Sequence, residues 1–194
     1  MPSPPAPRHL LPQAAETAMP RLRLDIDYAS PLWTDRRALG ALLRKAAASV
    51  FSQAYVDSEE LPNPACARLL IALRLTDDAD MRGLNSAFRN KDKATNVLSF
   101  PSQEEEVMDE PSFLGNIAIG YETVQREAAR DGKSFTDHLV HLLVHGCLHL
   151  IGYDHQEAGE AEEMEVLEIA ILAGLGLANP YADFDLVQNT SQGA

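Results

Sequence analysis

Leu22, Leu24 and Ile26 alternate with Arg23, Asp25 and Asp27, the period of two that marks a strand with one buried face. Beyond Asp35, a residue suited to an N-cap, the period changes. Within Arg36 to Ala54 the residues Leu39, Leu42, Leu43, Ala46, Val50 and Phe51 recur at helical spacing. Leu61-Pro62-Asn63-Pro64 reads as a turn, and the apolar run ARLLIALRLT after it predicts a more central strand. Asp77 or Asp78 opens a second helix that reaches about Phe88, with Met81, Leu84 and Phe88 on one face. Val97 to Phe100 and Asn116 to Ile119 read as two short strands, separated by a loop in the acidic segment Gln103 to Glu110.

Tyr121 to Arg130 predicts a helix ended by Asp131-Gly132. Thr136 is expected to cap the next, which carries Leu139, Leu142, Leu143, Cys147, Leu148 and Leu150 and is therefore largely buried. Gly152 should end it. The last helix, Glu157 to Leu175, starts acidic, as the macrodipole favours, and turns Met164, Leu167, Ile171 and Leu175 inward. The pattern describes one α+β or mixed α/β domain, with a small mixed sheet of about four strands and about five helices. Six of the twelve prolines fall in residues 1–20, which predicts a disordered leader; the domain spans 21–181 and residues 182–194 are a C-terminal tail.

A chain of 194 residues can close a single core without disulfides, and its two cysteines, Cys66 and Cys147, suit a reducing compartment. No stretch approaches the roughly 18 apolar residues of a transmembrane helix, so no membrane association is expected and the compartment expected is the cytoplasm. The net charge of −13 argues against gripping nucleic acid by bulk positive charge. That charge is uneven. Asp131 to Ala194 holds eleven acids against the single base Lys133, whereas Arg82, Arg89, Lys91 and Lys93 are opposed locally by Asp92 alone. An anionic partner should dock near that patch.

Five of the six histidines lie between His138 and His155, and His141, His145 and His149 follow one another at i, i+4 on one helical face. His155 lies past the Gly152 break, on a segment able to fold back toward His145 and His149. Three imidazoles converging in this way suit a tetrahedral ion with an open fourth position, which makes such a site catalytic rather than structural. His138 and His141 are expected to be core or capping residues. Cys147 lies about 200° around the helix from His145 and is expected to pack in the core. The spacing H-x3-H-x2-G-x2-H is also that of metzincin proteases. There, however, the residue after the first histidine is a general-base glutamate, and here it is Gly146.

The run His145-Gly146-Cys147-Leu148-His149-Leu150-Ile151-Gly152-Tyr153-Asp154-His155 resembles the hallmark of the YbeY family of bacterial metal-dependent endoribonucleases. Two further segments are similar: Leu84-Asn85 with Arg89, Lys91-Asp92 and Thr95-Asn96-Val97-Leu98-Ser99-Phe100-Pro101, and Leu114-Gly115-Asn116-Ile117-Ala118-Ile119. The resemblance runs from about Leu22 to Tyr181 and departs where Asn96 and Asn116 stand in place of the Asp of many members; both are read as structural. It implies one Zn2+ per chain on His145, His149 and His155, with another divalent transition metal as the alternative. It also implies Arg89 on the scissile phosphate. A guanidinium suits that role because it meets two phosphoryl oxygens at once. Lys91 is a candidate for a flanking phosphate, and Asp154 for orienting a ligand imidazole or capping a turn. The implied function is a single-strand-specific endoribonuclease that matures the 3′ end of small-subunit ribosomal RNA and serves ribosome quality control, acting on RNA and not DNA. The small ribosomal subunit and the assembly GTPase Era are the implied partners. Two other readings are a zinc metallopeptidase and a non-catalytic ribosome-assembly factor with a structural zinc.

Overall fold

The structure is a computed structural model that describes residues 21–54, 68–103, 111–153 and 158–182. The expected leader, nearly all of the tail, most of the acidic loop, Asp154 and His155 therefore lie outside the described residues. Four strands, β1 (Arg21–Tyr28), β2 (Arg68–Thr76), β3 (Val97–Pro101) and β4 (Ser112–Gly120), form one sheet in the order β1-β2-β4-β3. β1, β2 and β4 run parallel and β3 is antiparallel to β4. Five helices accompany them: α1 (Arg36–Ala54), α2 (Asp78–Arg89), α3 (Tyr121–Arg130), α4 (Phe135–Leu150) and α5 (Ala158–Gly174). The protein is an α+β single domain with a mixed sheet, as its pattern indicates.

Strand alternation divides the packing between the two faces of the sheet. Ile71, Leu73, Leu75, Ile117 and Ile119 join the main core with α1, α4 and α5, whereas Leu98 and Ala118 join Met81 of α2 in a smaller cluster on the other face. β2 is central, as its apolar run predicts. β4 is longer than the expected Asn116 to Ile119 because its start pairs with β2, Ser112 with Leu69 and Phe113 with Leu70, ahead of the stretch from Gly115 to Ile119 that also pairs with β3. Its register slips between Leu70 and Ile71 of β2, where Gly115 takes φ 138°; a Cβ there would stand 2.2 Å from the Phe100 carbonyl oxygen. Only glycine fits that bulge.

Two helix starts differ from expectation. α4 begins two residues earlier than Thr136 implies, because the Ser134 side chain accepts from Asp137 N–H and serves as the N-cap. Asp35 does precede α1, but in a left-handed conformation (φ 47°), with its backbone carbonyl accepting from Leu39 N–H. Asp77 caps α2 through its side chain on Asp80 N–H, as expected.

Candidate functional site

α4 runs through the core with its Leu, Val and Cys147 side chains buried, which leaves a narrow stripe of histidines toward α5 and β3. Gly146 lets the helix approach the sheet closely. A Cβ there would lie 3.1 Å from Ile117 Cδ1 and 3.1 Å from Ser99 Oγ, so even alanine would crowd its neighbours. The general-base glutamate of a zinc peptidase of that pattern has no room at this position. Cys147 is fully buried, and burial pushes its thiol up to about 12, so it packs in the core as expected.

The end of α4 is a Schellman turn. Gly152 takes φ 95°, Tyr153 N–H donates to Leu148 O at 3.1 Å, and Gly152 N–H donates to His149 O at 3.3 Å. This turn brings the Tyr153 carbonyl back over the helix, where it accepts from His149 Nδ1–H at 2.9 Å. One turn earlier, His145 Nδ1–H donates to Glu168 Oε1 at 2.7 Å. Both rings are thereby oriented through Nδ1, and their Nε2 atoms face each other 3.1 Å apart. Two nitrogens on a tetrahedral ion at about 2.0–2.1 Å would be about 3.3 Å apart, so the pair fits an ion with almost no movement. The carboxylate and carbonyl behind the rings are the partners that metal-ligating histidines ordinarily have. Among the described residues no third such side chain joins them, and His155 lies outside those residues.

Glu168 is absent from the sequence reading as a site residue. It is fully buried on α5, with Oε1 taken by His145 and Oε2 by His141 Nε2–H at 3.2 Å and by the Tyr181 hydroxyl. Burial alone would raise its pKa, but the bonds from His141, His145 and Tyr181 outweigh that and hold it at about 2. The carboxylate stays ionised. A signal for it does exist in the sequence: Glu168 lies four residues after Met164 and four before Leu172, on the buried phase of an otherwise acidic helix, where a carboxylate needs a partner. Tyr181, whose hydroxyl is pushed up by burial and then by Glu168, gave no comparable signal.

His138 and His141 behave as core residues with carboxylate partners. His141 joins Glu168, and His138 Nε2–H donates to Glu127 Oε2 at 2.9 Å. Glu127 also accepts from Asn96 Nδ2 at 2.9 Å, while Asn96 Oδ1 accepts from Val97 N–H at 2.7 Å. Asn96 thus ties the entry of β3 to α3, and Asn116 lies exposed within β4. The bonds of Asn96 suit the structural role expected of it, whereas Asn116 shows only its place in the strand. Burial would raise the Glu127 carboxyl, but its bonds from His138 and Asn96 hold it below the ordinary value.

Arg89 is the last residue of α2, which ends on Asn90 in a left-handed turn (φ 54°). The loop beyond is pinned twice: Asn85 Nδ2 donates to Lys93 O at 2.7 Å, and Arg82 grips both oxygens of Asp92 at 2.6 and 2.7 Å. Arg82 is therefore neutralised locally and subtracts from the expected basic patch. Arg89 lines one cavity of about 560 Å³ together with His145, His149, Ser99 and Tyr153. Lys91 and Lys93 are exposed and do not line it. A directed nitrogen pair and a guanidinium facing one cavity can hold an ion and an anion side by side.

The chain is also similar to known proteins. A family model described as Endoribonuclease YbeY matches residues 38–176. A protein of Rhodopseudomonas palustris named Endoribonuclease YbeY is 58% identical over 119 residues, covering 60% of this chain and 63% of its own length. The chain thus spans less than two thirds of that relative. A Chelativorans protein of the same name is 45% identical over 168 residues, 86% of this chain and 98% of its own length. One from Agrobacterium fabrum is 48% identical over 169 residues, 84% of this chain and 97% of its own. The solution structure of a Thermotoga maritima protein aligns at 22% identity with a TM-score of 0.49, over 79% of this chain and 91% of that one.

Proposed function

Because this chain belongs to the YbeY endoribonuclease family, we propose that it is a metal-dependent endoribonuclease that hydrolyses single-stranded RNA. The observation that carries the reading is one cavity lined both by the His145–His149 nitrogen pair and by the Arg89 guanidinium, from elements far apart in the chain. We assign the ion to His145, His149 and His155, with zinc as the expected metal. When bound, it supplies Lewis acidity that makes water a competent nucleophile near neutral pH.

The chain's own residues do the rest. Glu168 and the Tyr153 carbonyl fix the two rings so that Nε2, and not Nδ1, meets the ion. Arg89 holds the scissile phosphate and stabilises the negative charge that builds on its oxygens as the attacking bond forms. Lys91, outside the cavity but on the pinned loop after Arg89, is assigned to a flanking phosphate. Family membership supports a place in maturation of the 3′ end of small-subunit ribosomal RNA and in ribosome quality control in the cytoplasm. The small subunit and the GTPase Era are then candidate partners. A protein partner of this kind would offset the repulsion between RNA and a chain of net charge −13. Among the described residues no helix is long and apolar enough to cross a membrane.

The test is cleavage of an end-labelled single-stranded RNA by purified protein, beside metal-stripped protein and the Arg89→Ala variant. Cutting by the untreated wild type alone supports the reading. Equal cutting by all three marks a contaminating nuclease. No cutting by a wild type that carries its metal favours the assembly-factor role.

A further inference from the structure

The candidate active cavity shares a wall with a second groove. β3 is an edge strand, and its side chains alternate across the sheet: Ser99 and Pro101 line the cavity with the histidines, while Phe100 lines a groove of about 580 Å³ on the other face. The end of α2 straddles the same boundary. Arg89 faces the first cavity and Phe88 the second. Phe88 is 66% exposed, and its ring stands 5.0 Å from that of Phe100 at a 59° tilt. Leu32 and Val166 are also exposed, but of these three large apolar side chains Phe88 alone lines either pocket.

Charge selects what can enter. The far side of the groove carries Asp25 and Asp27, and the nearby Arg74 is committed to Asp27 at 2.7 Å and Asp80 at 2.8 Å. A phosphate would be repelled there, whereas a neutral aromatic ring would meet Phe88 and the small floor residues Ala72 and Ala118. Asn116, in register with Phe100 on the same face, offers an amide donor and acceptor to the edge of such a ring. The phosphate and base of one nucleotide are separated by one sugar, a span on the scale of two adjoining side chains. A strand whose phosphate lies on Arg89 can therefore turn its base over the β3 edge toward Phe88.

We propose that Phe88 is the stacking platform for a nucleobase adjacent to the cleaved phosphate, and so a determinant of single-strand specificity; this rests on the endoribonuclease reading. A base in a duplex is already stacked and paired, and its face is closed to Phe88. Stacking on an aromatic ring is tolerant of sequence, so the platform would select strandedness more than base identity.

The experiment compares wild type with Phe88→Ala, Phe88→Leu and Phe88→Trp on a single-stranded RNA carrying 2-aminopurine, read by steady-state kinetics and by fluorescence on binding. Because Phe88 is mostly exposed, all three variants should fold and retain bound metal. Phe88→Ala and Phe88→Leu should raise KM about tenfold, with a smaller effect on kcat, and should lose the quenching of 2-aminopurine. Phe88→Trp should restore both. If Phe88→Ala leaves KM and quenching at wild-type levels, or Phe88→Leu behaves as wild type, the platform is overturned while the nuclease reading stands. If wild type neither binds nor cuts the RNA, the nuclease reading fails and takes the platform with it.

Discussion

On the α4 wall of the cavity, His145 donates Nδ1–H to a carboxylate that solvent does not reach, and His149 donates to the carbonyl of a Schellman turn. On the α2 wall, Arg89 stands exposed at the helix end, ahead of a loop that Asn85 pins through the Lys93 carbonyl. Under the proposed function the two walls differ in what they would recognise, one an ion and the other a phosphate. An imidazole lone pair is directional, so the ring must be aimed before an ion arrives, and aiming it requires a second layer of fixed partners. A guanidinium meeting a phosphate depends on charge and reach, and its fork supplies the geometry without a buried scaffold. A site of this kind concentrates its rigidity on one side.

The comparison breaks most visibly at the ligands. His149→Ala should lose bound metal and RNA cleavage together, measured by elemental analysis of the purified protein and by the end-label assay; a cutting, metal-free variant would sink the assignment. Arg89→Ala should keep its metal while kcat falls by about 10²–10³, the scale for one charge-stabilising donor. Loss of metal in that variant would mean the two walls are not independent. Glu168→Gln keeps the size but removes the charge behind His145, and should weaken metal affinity by about 10–100-fold in a chelator competition. Unchanged affinity would show that the ring is aimed by packing alone. Lys91→Ala should have the smallest effect: slightly weaker RNA binding, with the salt dependence of log K reduced by about 1 if Lys91 meets one phosphate.

Away from the α2 wall, Glu127 of α3 ties α4 to the entry of β3. Glu127 accepts from both Asn96, at the β3 entry, and His138 on α4, and its carboxyl is held below the ordinary value. A lowered folded-state pKa contributes stability above the unfolded value and loses it as pH falls through the folded one. Glu127→Gln removes that pH-dependent contribution, so its stability should start lower at neutral pH and fall less steeply on acidification than that of wild type, followed by thermal unfolding between pH 7 and pH 3.

Much of this was legible along the chain. The period-two and helical stripes located every described strand and helix, because burial against a core imposes those spacings locally. The histidine spacing and Gly152 indicated that His145 and His149 share one face at the end of α4, since one helical turn and one left-handed turn are themselves local geometry. The length of β4, however, depended on the reach of its neighbour β2, which pairs with Ser112 and Phe113. The cap of α4 was decided by which of two neighbouring hydroxyls, Ser134 or Thr136, reached an amide. Arg82 read as part of a basic patch until Asp92 was seen to grip it, a pairing across ten residues that composition does not reveal.

The sequence by itself determined the elements, the domain class and the two histidines that face each other, all of which follow from spacings of a few residues. Only the tertiary structure decided that Glu168, 23 residues from His145, stands behind its ring, and that Arg89 opens onto the same cavity. Those placements arise from helix packing and strand order, which bring together residues whose separation along the chain carries no periodic signal.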